Sequence, residues 1–380
     1  MNSLPEDLLA MILVKLPIKI FTTFKIVCKQ WESMVDSPYF RDLFLSIHQN
    51  SHYSSWSILS RYDEEVIAHY GCNTWGLQRS LHFYISSFLT KKFETQRNNY
   101  KVWSYSTDVG MILISENCIC VKKRSLYVAN PVSQEYVEIP SHGYLKKVTC
   151  PLGIAARTEN GVLLDYKIVL FNGSDTFRSL LIYSSEIGMW SINTVDLTVS
   201  GFYNQSPISL HGSIHWIAAS TSHSEDVAVS FDLYATGTSS VQCRVTNFPD
   251  FGQHPKFTRS FSTCHGSLMY MNIISMTKVD GSLEDKLCVW RLESGEWKLV
   301  SEITPPFIET GVSYFPLGIN PFDATTVYFW SKKHRRLLSI NLQNGVFLDK
   351  LEHSSHRGSY FYSFVLPQWL HRIPNAVRMV

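Results

Sequence analysis

LIYSSEIGMW (181–190) returns, changed in most letters but not in plan, as CVWRLESGEW (288–297) and LSINLQNGVF (338–347). Each copy opens on an apolar run. Each carries glycine at its eighth position (Gly188, Gly295, Gly345) and an aromatic at its tenth (Trp190, Trp297, Phe347). Short runs of this composition broken by glycine read as strand, turn, strand. Looser copies, LYVANPVSQEY from Leu126 and VSFDLYATG from Val229, put the five starts 55, 48, 59 and 50 residues apart. A second element precedes the first in register. HGSIHWIA (211–218) and HGSLMYMN (265–272) begin 54 residues apart, and DYKIVLF (165–171) and TTVYFWS (325–331) hold the same place without His-Gly.

A repeat of about 50 residues that is all β is the size of one propeller blade. Glycine supplies the turn, and the aromatic after it suits packing between blades. Residues 55–117 and the strand-like YFYSFVLPQWL (360–370) leave room for one or two further blades. Joining the two ends of the region would remove its free sheet edges. Six or seven blades are expected, and no helix of useful length is expected after residue 50.

Ahead of the repeats stands SLPEDLLAMILVKLPIKIFTTFKIVCKQWESMVDSPYFRDLF (3–44). Ser3 and Glu6 have capping-box spacing, with Pro5 in the first turn. Leu8, Leu9, Ile12, Leu13 and Leu16 follow at helical spacing until Pro17. A second helical pattern uses Phe21, Phe24, Val27, Cys28, Trp31, Met34 and Val35. Ser37-Pro38 reads as a cap and first turn for a third helix with Phe40, Leu43, Phe44 and Ile47. Three short helices cannot bury all these groups among themselves. The surplus serves either a partner or the following β-domain. A propeller that closes on itself needs no helical lid, which favours the partner.

The residues LPEDLLAMILVKLPIK, FKIVCKQW and SPYF closely resemble an F-box, the module that docks substrate receptors onto the Skp-type adaptor of SCF ubiquitin ligases. Ile20, Phe21, Thr22 and Thr23 depart from it, standing where the family more often has a small polar residue, two leucines and a basic residue. Behind it, NPVSQEY (130–136), HGSIHW and the FDL of 231–233 resemble, in that order, the F-box-associated kelch-like domain of large plant families. The resemblance implies adaptor docking through Leu4, Pro5, Leu8, Leu9, Ile12, Leu16, Pro17, Ile18, Phe21, Val27 and Trp31, some of which must also serve the module's own core. Through the adaptor it implies cullin and RING subunits. It assigns target recognition to the β-domain without naming the target.

Composition excludes several other classes. At 45% hydrophobic and 17% charged residues the chain is globular, and its net charge of +2 gives no bulk case for nucleic acid. Its eight cysteines form no CxxC pair. Without a secretory signal they suit a reducing compartment, so the cytoplasm and/or the nucleus is expected. No run of 18 apolar residues is available to span a membrane.

Candidate chemistry is sparse. His211 and His215, if both lay on one strand, would be about 13 Å apart, too far for one tetrahedral ion. His265 repeats His211 while Met269 replaces His215, which points to a structural role. Cys118 and Cys120 read as buried thiols on one strand face. Glu64-Glu65 and Glu284-Asp285 read as solvated acids. No GxSxG, HExxH or P-loop occurs. Lys122-Lys123-Arg124 and Lys332-Lys333-His334-Arg335-Arg336 fall where hairpin turns belong, and the second run also matches a nuclear import signal.

The expected architecture is an α+β chain of two parts. A three-helix F-box spans 1–50, and an all-β, propeller-like recognition domain spans 51–380. Neither metal nor cofactor is expected, nor nucleic-acid or membrane partners. Loops 172–178, 220–226 and 250–259 are candidates for one target-binding face, with Phe251, His254 and Phe257 as contacts. Two alternatives stay open: a scaffold acting outside ubiquitination, and a propeller hydrolase or lyase, which would need converging acids or a metal set.

Overall fold

The computed structural model describes residues 5–48, 56–60, 65–69, 74–93, 100–116, 125–141, 149–174, 177–194, 199–202, 207–220, 225–235, 242–252, 259–304, 314–331, 333, 336–344, 347–350 and 361–374.

The front end forms four helices, not three: α1 (Glu6–Leu13), α2 (Ile18–Phe24), α3 (Lys29–Val35) and α4 (Pro38–His48). The expected second helix is broken because residues 25–27 turn and Cys28 is fully extended (φ −162°, ψ 162°). Ser3 lies outside the described residues. Pro5 is the N-cap of α1 rather than a first-turn residue, and no side chain caps that helix. Glu6 and Asp7 supply negative charge to the first turn. The Ser37 hydroxyl does cap α4, accepting from the Phe40 N–H at 3.1 Å.

Six antiparallel sheets follow among the described residues. The first holds β1 (Trp56–Ser60) and β2 (Glu65–His69). The second holds β3 (Tyr100–Tyr105), β4 (Ile112–Glu116), β5 (Leu126–Asn130) and β6 (Glu135–Ile139). The third holds β7 (Thr149–Glu159), β8 (Val162–Ser174), β9 (Phe177–Ser184) and β10 (Met189–Thr194). The fourth holds β11 (Val199–Phe202), β12 (Ile208–Leu210), β13 (Ser213–Ser220), β14 (Asp226–Asp232) and β15 (Gln242–Asn247). The fifth holds β16 (Phe261–Cys264), β17 (Ser267–Thr277), β18 (Leu283–Glu293) and β19 (Glu296–Ile303). The sixth holds β20 (Tyr314–Asn320), β21 (Asp323–Ser331), β22 (Arg336–Asn341) and β23 (Phe347–Lys350). The last strand, β24 (Phe361–Val365), returns to the first sheet and pairs with β1 from Trp56↔Val365 to Ser60↔Phe361.

The innermost strands touch in a closed cycle, β24 to β3, β7, β12, β16, β20 and back to β24. That is a propeller closed by pairing its two ends. The glycine turns at Gly188 and Gly295 belong to the outer hairpins β9–β10 and β18–β19; β22 and β23 also pair, with Gly345 outside the described residues. Trp190 spans blades, donating its indole N–H to the Pro140 carbonyl at 2.7 Å. Trp297 does so by stacking on Phe248 of the preceding blade at 5.8 Å.

Two expectations fail. A fifth helix, α5 (Leu81–Lys92), stands between the first and second sheets, capped by Ser80. Leu81, Tyr84, Ile85 and Phe88 are its buried face, a helical period hidden in a stretch otherwise rich in aromatics and serines. The propeller also does carry a helical lid. One core unites Leu9, Leu13, Ile18, Phe21, Phe40 and Phe44 of the front helices with Trp75, Leu81, Phe88, Ile112, Phe364 and Leu366.

Candidate functional site

The front-end candidates separate by what they touch. Ile18 and Phe21 are buried completely and Leu9 almost so. Phe21 lies under Trp369 (ring centroids 5.6 Å, stacked) and against the edges of Phe40 and Phe44, both at 5.3 Å. The departure from the F-box pattern at this position therefore has a local cause: an aromatic here fills the space beneath Trp369. Thr22 and Thr23 return their hydroxyls to the carbonyls of Ile18 and Ile20 inside α2. Leu9, Ile18 and Phe21 are thus among the docking candidates that serve the module's own core.

Leu16 and Trp31 are half-buried against the same core, and Pro17 packs beside Gly76. Leu4 lies outside the described residues, and Pro5 is exposed at the mouth of α1. Leu8 (53% exposed) and Ile12 (52%) stand one turn apart on the open face of α1, with Met11 beside them. Val27 (61%) and Ile26 (89%) project from the turn between α2 and α3. Gln30 donates to the Glu6 carboxylate at 3.3 Å, which brings the start of α3 alongside the start of α1. Sequence periodicity did not single out Met11 and Ile26, because exposure is decided by which faces the propeller covers.

The tail after β24 straps the helices down. Trp75 donates to the Pro367 carbonyl at 2.7 Å, and Pro367 also closes over Gly110. Trp369 covers Phe21, Phe40 and Phe44, while Arg372 pairs with Asp36 of the helical module. Ile373 enters the core of the second and third blades. His371 is buried, and burial with Arg41 nearby lowers its pKa to about 4.

His211 and His265 belong to the turns entering β13 and β17, both in the left-handed region (φ 48° and 47°), each followed by glycine. The His211 Nε2–H donates to the Gly266 carbonyl (2.9 Å), and the His265 Nε2–H to the Phe322 carbonyl (2.8 Å). Asp108 of the second blade accepts from the His211 backbone N–H at 2.8 Å. The repeated His-Gly is therefore a latch from each blade to the next. His215 is not its metal partner. Its Nδ1 meets the Ser230 hydroxyl at 2.7 Å, and burial holds its pKa at about 4. Among the described residues no group of three or more His, Cys, Asp or Glu is placed to hold a metal ion.

The helices sit over the turns between first and second strands: Leu45 lies beside the Gly161 turn and Pro367 over the Gly110 turn. Connections 172–178, 220–226 and 250–259 leave their strands at the opposite face. Gly252 donates to the Glu225 carboxylate at 2.9 Å, tying two of them together. Arg259, 3% exposed at its side chain, pairs with Asp250 (3.1 Å) and Asp226 (3.2 Å), and Asp250 accepts from the Tyr270 hydroxyl at 2.9 Å. Of the loop contacts expected here, Phe251 is half-buried, whereas His254 and Phe257 lie outside the described residues. So do Cys118, Cys120, the 122–124 run and most of 332–336, of which Lys333 is an exposed turn residue.

An F-box domain family matches residues 1–43, and the beta-propeller of the F-box protein At3g26010-like family matches 54–362. The chain is 94% identical over 284 residues to the putative F-box protein At3g28280 of Arabidopsis thaliana, covering 75% of this chain and 91% of that one. It is 51% identical over 405 residues to the F-box protein At3g28330 of the same plant, covering 100% and 98%. To the F-box protein At3g26010 of that plant it is 31% identical over 344 residues, covering 87% and 75%. With a helical module in front, a closed ring of sheets behind and these matches across both, the chain belongs to the plant F-box proteins that carry a C-terminal β-propeller.

Proposed function

We propose that this chain is the substrate-recognition subunit of an SCF-type ubiquitin ligase. The helices of residues 1–50 would dock on a Skp-type adaptor and, through it, on cullin and RING subunits. The propeller within 51–380 would hold a protein target. One observation carries the reading: Leu8, Met11, Ile12, Ile26 and Val27 stay exposed beside one another at α1 and the α2–α3 turn, while Leu9, Leu13, Ile18, Phe21, Phe40 and Phe44 are buried inside the chain and Ile20, Tyr39 and Ile47 are exposed elsewhere on the module. Residue by residue, Leu8, Ile12 and Val27, with Pro5 at the edge, are the docking set, and Leu16, Pro17 and Trp31 support it. The candidate target-binding loops open on the face away from these helices, so both partners can be held at once. Such a subunit acts by proximity, raising the target's effective concentration near the ubiquitin-charged enzyme without local chemistry. Its expected location is the cytoplasm, the nucleus or both.

The test is a two-protein titration with a Skp-type adaptor, followed by affinity capture under proteasome inhibition. Wild type is expected to bind and to enrich ubiquitinated partners, and Leu8→Asp/Ile12→Asp to lose both. Absence of a complex with the wild-type chain would transfer the module to the alternative reading, a packing element of a scaffold outside ubiquitination.

A further inference from the structure

A cavity of about 290 Å³ lies where the helical module, the third blade and the C-terminal strap meet. Its apolar wall includes Phe21, Leu163 and Trp369, and its polar wall includes Arg41, His371 and Arg372. Arg41 is the informative group. Its side chain is only 12% exposed, yet its one ion-pair partner among the described residues is Asp42, the next residue along and 64% exposed. Both bonds, from Nε (2.9 Å) and from one terminal nitrogen (2.8 Å), go to the same Asp42 oxygen. The other terminal nitrogen has no acceptor among the described residues. A largely buried guanidinium with a half-used donor fork is poised for a second carboxylate. Two carboxylates line the cavity, Asp36 and Glu135, and neither pairs with Arg41; Asp36 is already shared by Lys25 and Arg372.

We propose that this junction is a binding site for a small amphipathic monocarboxylate. The carboxylate takes the open edge of Arg41, and a ring or short chain lies against Trp369 and Leu163. The volume sits at the small end of ligand sites, which run from roughly 300 Å³ upward, so nucleotides and larger molecules are excluded. Burial keeps His371 neutral, and the other cations of the wall, Lys25 and Arg372, are both engaged by Asp36. The ligand would touch α4, β8 and the strap together, and would stiffen the attachment of the docking helices to the propeller. The site lies wholly inside this chain and does not depend on the adaptor reading.

The full chain, without adaptor, is titrated with para-fluorobenzoate and with the neutral para-fluorobenzyl alcohol, following fluorine NMR line widths. Benzoate is expected to broaden at millimolar concentration and the alcohol to bind about tenfold more weakly, the loss expected for one charge-assisted contact. Arg41→Gln should weaken benzoate to the level of the alcohol. Val162→Trp, a change at a partly exposed lining residue, should abolish binding by filling the space. Circular dichroism checks both variants, and Val162→Trp decides alone if Arg41→Gln unfolds. No broadening by benzoate, equal binding of the two probes, or full binding to Val162→Trp would each overturn the proposal.

Discussion

Replacing Trp369 by alanine should loosen the helical module from the propeller without opening the ring. The indole stacks on Phe21 at 5.6 Å, meets Phe44 edge-on at 5.2 Å and lies tilted against Phe40 at 6.3 Å. All three phenylalanines are fully buried. Truncating a buried tryptophan costs about 3–5 kcal/mol. Trp369 is only half-buried, which lowers the transfer part, while aromatic pairs contribute about 0.5–1.5 kcal/mol each beyond area. The two together give an expected loss of about 2–4 kcal/mol, felt at the junction. Hydrogen exchange resolves it by region. Amides of α2 and α4 should exchange faster by roughly the factor that loss implies, about 30-fold or more. Amides of β13, β17 and β21 should change little. Arg372→Ala removes an exposed ion pair from the same strap and should alter stability by less than about 1 kcal/mol. Unchanged exchange in α2 and α4 of the Trp369 variant, or equal acceleration across the blades, would refute the idea that the strap holds the module.

Other expectations are narrower. Leu8→Asp/Ile12→Asp should weaken adaptor binding about 100-fold in calorimetry, since two half-exposed side chains bring about 1–1.5 kcal/mol each and the new charges add a desolvation cost. Its melting temperature should match wild type, whereas Phe21→Ala should lose about 3–5 kcal/mol of stability. His371 titrates at about 4 in the folded chain against 6.5 when free, so the unfolded chain binds the extra proton between those values. Its contribution to stability is therefore complete above pH 6.5 and is lost as pH falls toward 4, by up to about 3 kcal/mol. Denaturant unfolding across that window should show a shallower acid limb in His371→Leu. Gly212→Ala should destabilise more than Gly252→Ala. Both positions are left-handed (φ +74° and +83°), but only at Gly212 would the new Cβ meet a ring, Tyr234, at 2.7 Å. The shared backbone strain is about 1–2 kcal/mol, and the excess measured for Gly212 reports the clash.

Much of the architecture is legible in local pattern because its units are local. A blade is a run of adjacent hairpins, so its period survives in the spacing of Gly188, Gly295 and Gly345. The recurrence of His-Gly at 211 and 265 marked a structural motif before its bonds to the next blade were visible. Helix α5 had a readable period in Leu81, Tyr84, Ile85 and Phe88, but serines and aromatics around it look equally strand-like. The pattern of the second front helix runs on through Lys25–Cys28 because apolar spacing continues across a chain that turns there.

The order of parts is written in the chain's own pattern: a short helical module with more apolar surface than it can use, then a β-repeat long enough to close. Tertiary structure alone decided which of those apolar residues remain available. Phe21 and Leu8 are equally apolar and equally helical, but Trp369, nearly 350 residues downstream, covers one and not the other. Periodicity reports which side chains share a face. What lies against that face is set by long-range closure, here by a tail that returns across the helices only after the ring is complete.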